Sequence, residues 1–329
     1  MKLKLHIIRE GKAMDVTDLI QNITWAGAYN QVGRTLDFSF GVSEIDKSLP
    51  KVSCDLGAGV RFYAGEQLLF DGFVFSRQRD TAGDLLEIGC ADRGVYLKRN
   101  QSVYQFRNST PEDIAARVCA DFNIAAGSLA ETGTSISRSF PGVSLYGIIQ
   151  TAYTLAAEQT GKRYMIRFAG EKLEVVEKAR RDSTLVLGPK SNLIGATVTE
   201  SIENLTNQVA IYDKNDTLIT TQKNQDLIDA YGLMQAYLRQ DEGQDSAAQA
   251  RKILEDDGPS QKITVTNLGN TGLIAGESVI LREPVTGQYG LFWIDSDSHT
   301  WSGSLYQNKL VLNFRNMMDE QEAGGKPTA

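Results

Sequence analysis

The fold class of this chain is decided by the stretch RTLDFSFGV, residues 34–42, in which polar and apolar positions alternate from Thr35 to Val42. A period of two places successive side chains on opposite faces of an extended backbone, so the stretch predicts a β-strand with one buried and one solvated face. The apolar face carries Leu36, Phe38, Phe40 and Val42, and the polar face carries Thr35, Asp37, Ser39 and Gly41.

The same alternation recurs on both sides of this strand through the first hundred residues. Residues 3–7, 60–64 and 86–90 each alternate, and turn sequences such as Gly65-Glu66 separate them. Short strands at regular spacing, with Gly and Asp between them, are typical of an antiparallel barrel or sandwich. Strand patterns return in the last part of the chain, at residues 184–187, 205–212, 263–265, 279–281, 291–294 and 310–314.

Between these β regions the sequence predicts a small α+β unit over residues 101–184. Thr110-Pro111 starts one helix, because Thr is a good N-cap and Pro suits the first helical position. A second helix runs from Ser144 to Gly161, and a hairpin follows it. Further on, we predict a polar helical insert over about 223–257 and a flexible tail over 319–329.

The composition excludes several classes of protein. The 329 residues carry 34 Lys and Arg against 41 Asp and Glu, a balance that argues against a dedicated nucleic-acid binder. No apolar run approaches the ~18 residues that a membrane span requires, and the N-terminus lacks the apolar core of a signal peptide. Two histidines are too few for a His-rich metal site, and we expect no cofactor. Three widely spaced cysteines predict buried thiols in a reducing cytosol.

The negative charge is concentrated in the last part of the chain. The net charge is zero over residues 1–100, +1 over 101–184 and −8 over 185–329. The acidic candidate site residues in this part are Asp295, Asp297, Asp241, Glu242, Asp245, Glu255, Asp256 and Asp257.

Asp295, Asp297 and His299 alternate along one predicted strand, so a metal or acid–base site there is conceivable. A solvated strand face, with Ile294 turned the other way toward the core, explains the pattern without any chemistry and is favoured. The other acidic residues lack the oxygen-ligand spacing of a calcium loop. A solvated helix end or a charged partner-facing surface is favoured for them.

No motif specifies an enzyme. The glycine pattern of dinucleotide-binding folds, the phosphate-binding loop and the nucleophile elbow are all missing from the sequence. A pair of carboxylates for glycoside hydrolysis stays open, because that chemistry needs only two groups placed by the fold. Trp25, Trp293 and Trp301 are interpreted as core or interface anchors rather than as a sugar-binding platform.

Three long segments resemble prophage tail proteins of the XkdQ/YqbQ type. They are DVTDLIQNITWAGAYNQVGRTLDFSF (15–40), YLKRNQSVYQFRNSTPEDIAARVCADFNI (96–124) and ESIENLTNQVAIYDKND (200–216). The helix-then-hairpin sequence of residues 144–177 and the closing β region of residues 267–314 are similar to the same family. These proteins are relatives of the baseplate hubs of contractile-tailed phages and of the late control gene D proteins. The insert 223–257 is the least matched part.

The resemblance implies a fold that is mainly β with α+β inserts. Two tube-type antiparallel β-barrel domains are expected at 1–100 and 185–318, with a small α/β domain at 101–184 and a helical insert at 223–257. It also implies a non-catalytic homotrimer, because three copies of two barrels match a hexameric tail tube on one side and a three-fold spike on the other.

The expected partners are the tail tube protein, the central spike protein and baseplate wedge proteins, with the tape-measure protein as a further candidate. On this resemblance, the acidic candidates named above would face the channel or a partner. DNA would pass through the channel without specific binding, no membrane is involved, and the particle would assemble in the bacterial cytoplasm. Two alternatives stay open, a tail-associated cell-wall hydrolase and a receptor- or carbohydrate-binding tail-tip protein.

Overall fold

The computed structural model describes residues 2–42, 52–80, 84–180, 185–240 and 245–327. They form two compact units, which we call the main unit (residues 1–196 and 264–329) and the insert unit (residues 197–263). The prediction of a mainly β chain with α+β inserts is confirmed.

The strands are β1 Leu3–Arg9, β2 Lys12–Asp15, β3 Ile20–Ala28, β4 Thr35–Gly41, β5 Gly59–Ala64, β6 Gln67–Arg79, β7 Leu85–Asp92, β8 Gln101–Ser109, β9 Ala125–Leu129, β10 Ile136–Ser144, β11 Tyr164–Ala169, β12 Lys172–Glu177, β13 Val186–Leu187, β14 Leu193–Ser201, β15 Gln208–Tyr212, β16 Leu218–Lys223, β17 Gln235–Arg239, β18 Ser260–Leu268, β19 Ser278–Glu283, β20 Gln288–Ser302 and β21 Leu305–Asn313. The helices are α1 Gly94–Arg99, α2 Pro111–Asp121, α3 Leu145–Thr160, α4 Gln225–Tyr231 and α5 Ser246–Asp256.

One thirteen-stranded sheet unites the two β regions that the sequence predicts. Its order is β14-β18-β21-β20-β3-β4-β7-β6-β5-β1-β2, and β19 pairs with β20 and β13. Strands β20 and β3 are antiparallel and are paired from Ser296 opposite Ala28 to Ser302 opposite Asn22. Strands of residues 1–100 and of residues 185–318 therefore belong to one hydrogen-bonded sheet.

The strand at 34–42 behaves as its alternation predicts. Leu36, Phe38 and Phe40 are buried, whereas Thr35 and Asp37 are exposed. Their core draws apolar side chains from six strands of the first β region, and Trp301 of β20 enters it from the second. The cysteines Cys54, Cys90 and Cys119 are free thiols and are buried, as predicted.

The middle of the chain folds as an α+β unit. Thr110 caps α2 by accepting a hydrogen bond from the Asp113 N–H, and Ser144 caps α3 by accepting one from Gly147 N–H. Helix α3 ends at Gly161, whose φ of 72° suits glycine. Strands β11 and β12 form the predicted hairpin, and β9 adds in parallel to β12. No helix in the described ranges is long and apolar enough to cross a membrane.

The insert unit differs from the predicted helical stretch. It holds a three-stranded sheet, β16-β15-β17, and two short helices, α4 and α5. Helix α4 ends at Gly232 (φ 84°), and the alternating sequence of residues 235–239 then forms β17. The strand predicted at 205–212 lies in this unit as β15, where Val209 and Ile211 pack against Ala250 of α5. Counted over residues 197–263, the unit carries 12 acidic and 6 basic side chains, a net charge of −6 against −7 for the whole protein.

Residues 319–325, part of the segment for which the sequence predicts a flexible tail, are bound to the α+β unit. Met318 is buried in the core around α3, and the Gln150 side chain donates a hydrogen bond to the Asp319 carbonyl. The backbone N–H groups of Gln321 and Ala323 donate to the hydroxyls of Thr154 and Thr151. The polar composition of the tail predicts mobility, whereas buried polar side chains on α3 supply its hydrogen-bond partners.

We predict that Met318→Ala lowers the free energy of unfolding by about 2–5 kcal/mol, as expected when a buried Met is truncated. Chemical denaturation followed by circular dichroism measures the change. Glu322→Ala is the matched control, because Glu322 is exposed in the same segment. An equal, small effect of both substitutions would show that the tail adds no stability.

Candidate functional site

Six neighbouring strands, β21-β20-β3-β4-β7-β6, turn one face away from the buried cores. The strand register sets side chains opposite one another in rows across this face. One complete row is Gln307, Thr300, Thr24, Asp37, Gly89 and Ser76. The rows beside it contribute Ser298, Ser302, Asn22, Ala26, Thr35, Ser39, Glu87, Ala91, Gln78 and Lys309. We call these sixteen residues the polar face; the same two rows end at its margin in two apolar side chains, Phe73 and Leu305.

The polar face carries small and polar side chains, and the large apolar residues of its rows, Phe73 and Leu305, lie at its margin. Each of its residues is exposed or partly exposed, and only Asp37, Glu87 and Lys309 are charged. Partial burial raises the pKa of Asp37. The face continues across the pairing of β20 with β3, so both β regions contribute to one surface. Such a surface offers hydrogen bonds to water and little that would hold an apolar or a strongly charged polymer.

A buried ion pair lies on the opposite side of the sheet from the polar face, at this same junction. Two N–H groups of Arg34, in the loop between β3 and β4, donate to the two carboxylate oxygens of Asp297 on β20. The Asp297 side chain is fully buried and also accepts a hydrogen bond from Ala275 N–H at 2.6 Å. The Arg34 guanidinium stacks 3.8 Å above the Trp25 ring. These contacts tie the second β region to the first.

His299 extends this network along β20. Its Nε2 lies 3.1 Å from Asp297 Oδ2, and its Nδ1 lies 2.7 Å from the Asn308 amide nitrogen. Because an amide nitrogen only donates, Nδ1 is the acceptor and Nε2 carries the proton that it donates to Asp297. The Tyr306 hydroxyl lies 2.9 Å from the same Nδ1.

The two titratable groups are shifted by their surroundings. Burial raises the pKa of Asp297, but the charge of Arg34 and the hydrogen bonds from His299 and Arg34 outweigh burial and hold it below its usual value. Burial lowers the pKa of His299, and the hydrogen bond and charge of Asp297 oppose this only in part. The folded protein therefore holds an ionised Asp297 beside a neutral His299.

Asp297 and His299 do not lie on a solvated strand face, so that interpretation is wrong for them. A β-bulge between Ile294 and Ser296 reverses the alternation, and Ile294 is buried on the same side as Asp297. Asp295 is the residue at the bulge. It is partly buried and accepts a hydrogen bond from the Asn313 side chain. Asp297 and His299 therefore share one face of the strand, as the alternation predicted, but Asp295 does not.

The remaining acidic candidates do not form one cluster. Asp245 caps the start of α5 by accepting hydrogen bonds from the Ala247 and Ala248 N–H groups. Glu255, Asp256 and Asp257 are exposed at the other end of that helix, about 16 Å away at 1.5 Å per residue. Asp241 and Glu242 lie outside the described residues. Within the described ranges, no three His, Cys, Asp or Glu side chains are grouped to hold a metal ion.

Sequence reasoning missed Arg34 and the polar face. The polar positions of the single strand 34–42 were visible, but their neighbours across the sheet follow only from register. Trp25 and Trp301 are buried, which confirms their interpretation as core anchors.

The fold is that of phage tail proteins. A 43 kDa tail protein of prophage MuSo2 from Shewanella oneidensis superposes with a TM-score of 0.70 at 12% identity, over 94% of this chain and 98% of its own. The E. coli c3393 protein, a type VI secretion component described as similar to the T4 tail proteins gp27 and gp5, gives a TM-score of 0.54 at 10% identity, over 100% of this chain and 80% of its own.

The family follows from the sequence. The YQBQ-like family model matches residues 23–313, so the chain belongs to this family. Its relatives include the phage-like element PBSX protein XkdQ of Bacillus subtilis, which is 24% identical over 97% of this chain and 99% of the relative. The resemblance to XkdQ/YqbQ proteins is thereby confirmed.

We predict that Asp297→Asn lowers the free energy of unfolding by about 3–5 kcal/mol, because it leaves the Arg34 charge buried without its counter-ion. Equilibrium denaturation measures the loss. Glu87→Gln, an exposed carboxylate on the polar face, is the control and should change stability by no more than about 0.5 kcal/mol. Adding Arg34→Met to Asp297→Asn should cost less than the sum of the two single changes; strict additivity would contradict the coupling.

The stability of the protein should fall as the pH drops below about 6.5, the ordinary pKa of histidine. The pKa of His299 is lower in the folded protein than in the unfolded chain. Its contribution to stability is therefore complete above the unfolded pKa and is lost as the pH falls. We expect His299→Gln to weaken this dependence between pH 7 and 5, as measured by urea denaturation at each pH. Burial raises the pKa of Asp92 to about 6, which makes stability change with pH in the opposite direction. Asp92 is present in both the wild type and the His299→Gln variant, so its effect cancels in the comparison. His6→Gln is the control, and a dependence altered equally by both substitutions would refute the assignment.

Proposed function

We propose that this protein is the structural hub of a contractile phage tail or of a phage-like particle. In this role three copies form a ring that joins the hexameric tail tube to the three-fold spike, and the polar face lines the channel. The proposal rests on one observation above all, the continuous polar face that crosses both β regions of one sheet. The fold of tail proteins supports it.

The chemistry of the polar face suits a channel wall. A polymer that passes through a channel is held back by apolar patches and by opposite charge. On this face Lys309 is the single lysine, and the large apolar side chains of its rows, Phe73 and Leu305, lie at the margin rather than in a central patch. Its two carboxylates repel DNA phosphates. DNA or the tape-measure protein would therefore pass without specific binding, and the role requires no catalysis and no cofactor.

The acidic residues have a different part in this proposal. The insert unit, with Asp245, Glu255, Asp256 and Asp257 at the ends of α5, is a solvated acidic surface for a basic partner in the baseplate, such as a wedge protein. Asp295 is only partly buried and keeps its candidacy as a partner-facing residue. Asp297 is assigned to the core and not to the channel, because its side chain is fully buried.

The test is assembly of the purified protein with its tube and spike partners. Mass photometry should show a trimer, either alone or once a partner is added, and electron microscopy should show the trimer capping the tube with Thr24 and Asp37 turned toward the axial channel. A protein that stays monomeric with both partners present would refute the hub. A trimer with the polar face on its outer surface would refute the channel assignment.

A further inference from the structure

Residues 317–325, which we call the docked segment, lie in a groove of the α+β unit. The groove binds the backbone of the segment through the side chains of Gln150, Thr151, Thr154, Arg138 and Lys178. Gly325 also exchanges two backbone hydrogen bonds with Ser139 of β10, at 2.8 and 2.9 Å. The segment is therefore held as a protein holds an extended peptide, mainly through main-chain hydrogen bonds.

Two side chains of the docked segment add specificity. Met318 is buried in the core around α3, and its Sδ lies 3.4 Å from the Tyr164 nitrogen. The next residue, Asp319, accepts a hydrogen bond from the Tyr146 hydroxyl. An apolar anchor followed by a carboxylate thus fixes the register of the segment in its groove.

The charges of the segment and of its groove are complementary. The docked segment carries three acidic side chains and no basic one, at positions 319, 320 and 322. The groove supplies two cations, Arg138 and Lys178, and the Arg138 guanidinium lies 4.0 Å from the Glu322 carboxylate. None of these contacts requires that the groove and the segment belong to the same copy of the chain.

The connection between β21 and the docked segment is short and poorly satisfied. It consists of residues 314–316, which we call the hinge. Phe314 leaves 62% of its surface exposed. The side-chain oxygen of Asn316 is buried and accepts no hydrogen bond from the described part of the chain, which is destabilising for a carbonyl group. A short, strained hinge next to a well-satisfied element favours exchange of that element between identical chains.

We propose that the docked segment of each copy of this chain occupies the groove on the α+β unit of a second copy. The proposal rests on the hub function proposed above and names a contact that joins its subunits outside the large sheet. The exchange keeps every contact from Met317 onward and changes only the path of the hinge. When each copy passes its segment to the next in one direction, three copies close into a ring.

The length of the hinge limits where the second groove lies. From Asn313, the last residue of β21, to Met317 the chain spans at most about 14 Å when fully extended. The α+β unit of the second copy therefore lies against the end of β21. Phe314, at the start of the hinge, then lies where the two copies meet.

The pairing of Ser139 with Gly325 supplies a reporter of which copy donates the segment. Opposite residues in a hydrogen-bonded antiparallel pair have Cα atoms about 5.5 Å apart, which suits a disulfide. A β-carbon added at Gly325 meets no other atom within 4 Å, and Ser139 is only partly buried. Cysteines at these two positions should therefore be tolerated and should link wherever the segment is docked.

The experiment uses the full chain with Ser139→Cys and Gly325→Cys, kept reduced, assembled with the tube and spike partners and then oxidised with copper phenanthroline. Non-reducing electrophoresis should show disulfide-linked trimers. The native cysteines are buried and give little background. Internal disulfides alone, in a protein that mass photometry shows to be trimeric, would overturn the exchange.

A mixture of single variants removes the internal disulfide altogether. Ser139→Cys and Gly325→Cys proteins, mixed before assembly and then oxidised, should yield a linked dimer and nothing larger. The control mixture replaces Ser139→Cys with Lys172→Cys, at an exposed position on β12 outside the groove, and should yield no linked dimer. Equal linkage in both mixtures would show random collision and would overturn the exchange.

A third measurement locks the segment before assembly. Oxidation of the isolated double variant should form the internal disulfide, because the segment of a single copy is docked in its own groove. The locked protein should show at least a tenfold rise in the dissociation constant of the trimer by mass photometry, and a reducing agent should restore the original value. A lock that leaves assembly unchanged would overturn the exchange.

The outcomes separate this proposal from the hub function. A trimer that forms without linkage between copies would overturn the exchange and leave the hub standing. Loss of the internal disulfide when a partner is added, again without linkage between copies, would assign the groove to a segment of that partner and would also overturn it. A chain that stays monomeric with both partners present would refute both proposals.

Discussion

The joining of the two β regions depends on the buried ion pair between Arg34 and Asp297. Moving a carboxylate and a guanidinium out of water costs several kcal/mol for each group, and that cost is recovered only when geometry and hydrogen bonding are complete. Here both carboxylate oxygens accept from Arg34, the backbone of Ala275 and the ring of His299 supply further donors, and Trp25 covers the guanidinium. The pair is specific to one alignment of β20 against β3, because a shift of one residue would turn Asp297 to the solvated side.

That alignment gives the sheet its two different surfaces. On one side lie the aromatic and aliphatic side chains of the cores, and on the other lie the small hydroxyl, amide and glycine positions of the polar face. The bulges in β6 and β20 maintain this division, since each inserts one residue and brings the following polar residues back to the solvated face. The proposed channel wall and the core beneath it therefore follow from the same register.

The C-terminal segment anchors the end of the second β region to the α+β unit. Lys178, which is nearly buried, donates to the Met317 carbonyl and lies over the rings of Tyr29 and Trp293. Burial lowers the pKa of this lysine to about 8. The next residues dock along α3 through the hydroxyls of Thr151 and Thr154. The main unit is thus held together by the Arg34–Asp297 ion pair on β20 and by the hydrogen bonds of the segment that follows β21, as well as by its apolar cores.

The sequence by itself determined many strands of the two β regions, two helix starts and the family. Alternation at 34–42 placed Leu36, Phe38 and Phe40 inside, and Thr110-Pro111 and Ser144 marked helix starts, because both signals are local and act within a few residues. Only the tertiary structure decided that the two β regions form one sheet, that Asp297 pairs with Arg34, and that the tail is docked. Those contacts join residues far apart in sequence, and period-two alternation carries no information about which strand lies next to which or where a bulge reverses the faces. The excess of acidic residues over 185–329 was visible in the composition. Only the fold shows that Asp297 is buried in an ion pair, whereas most of the net negative charge lies on the insert unit.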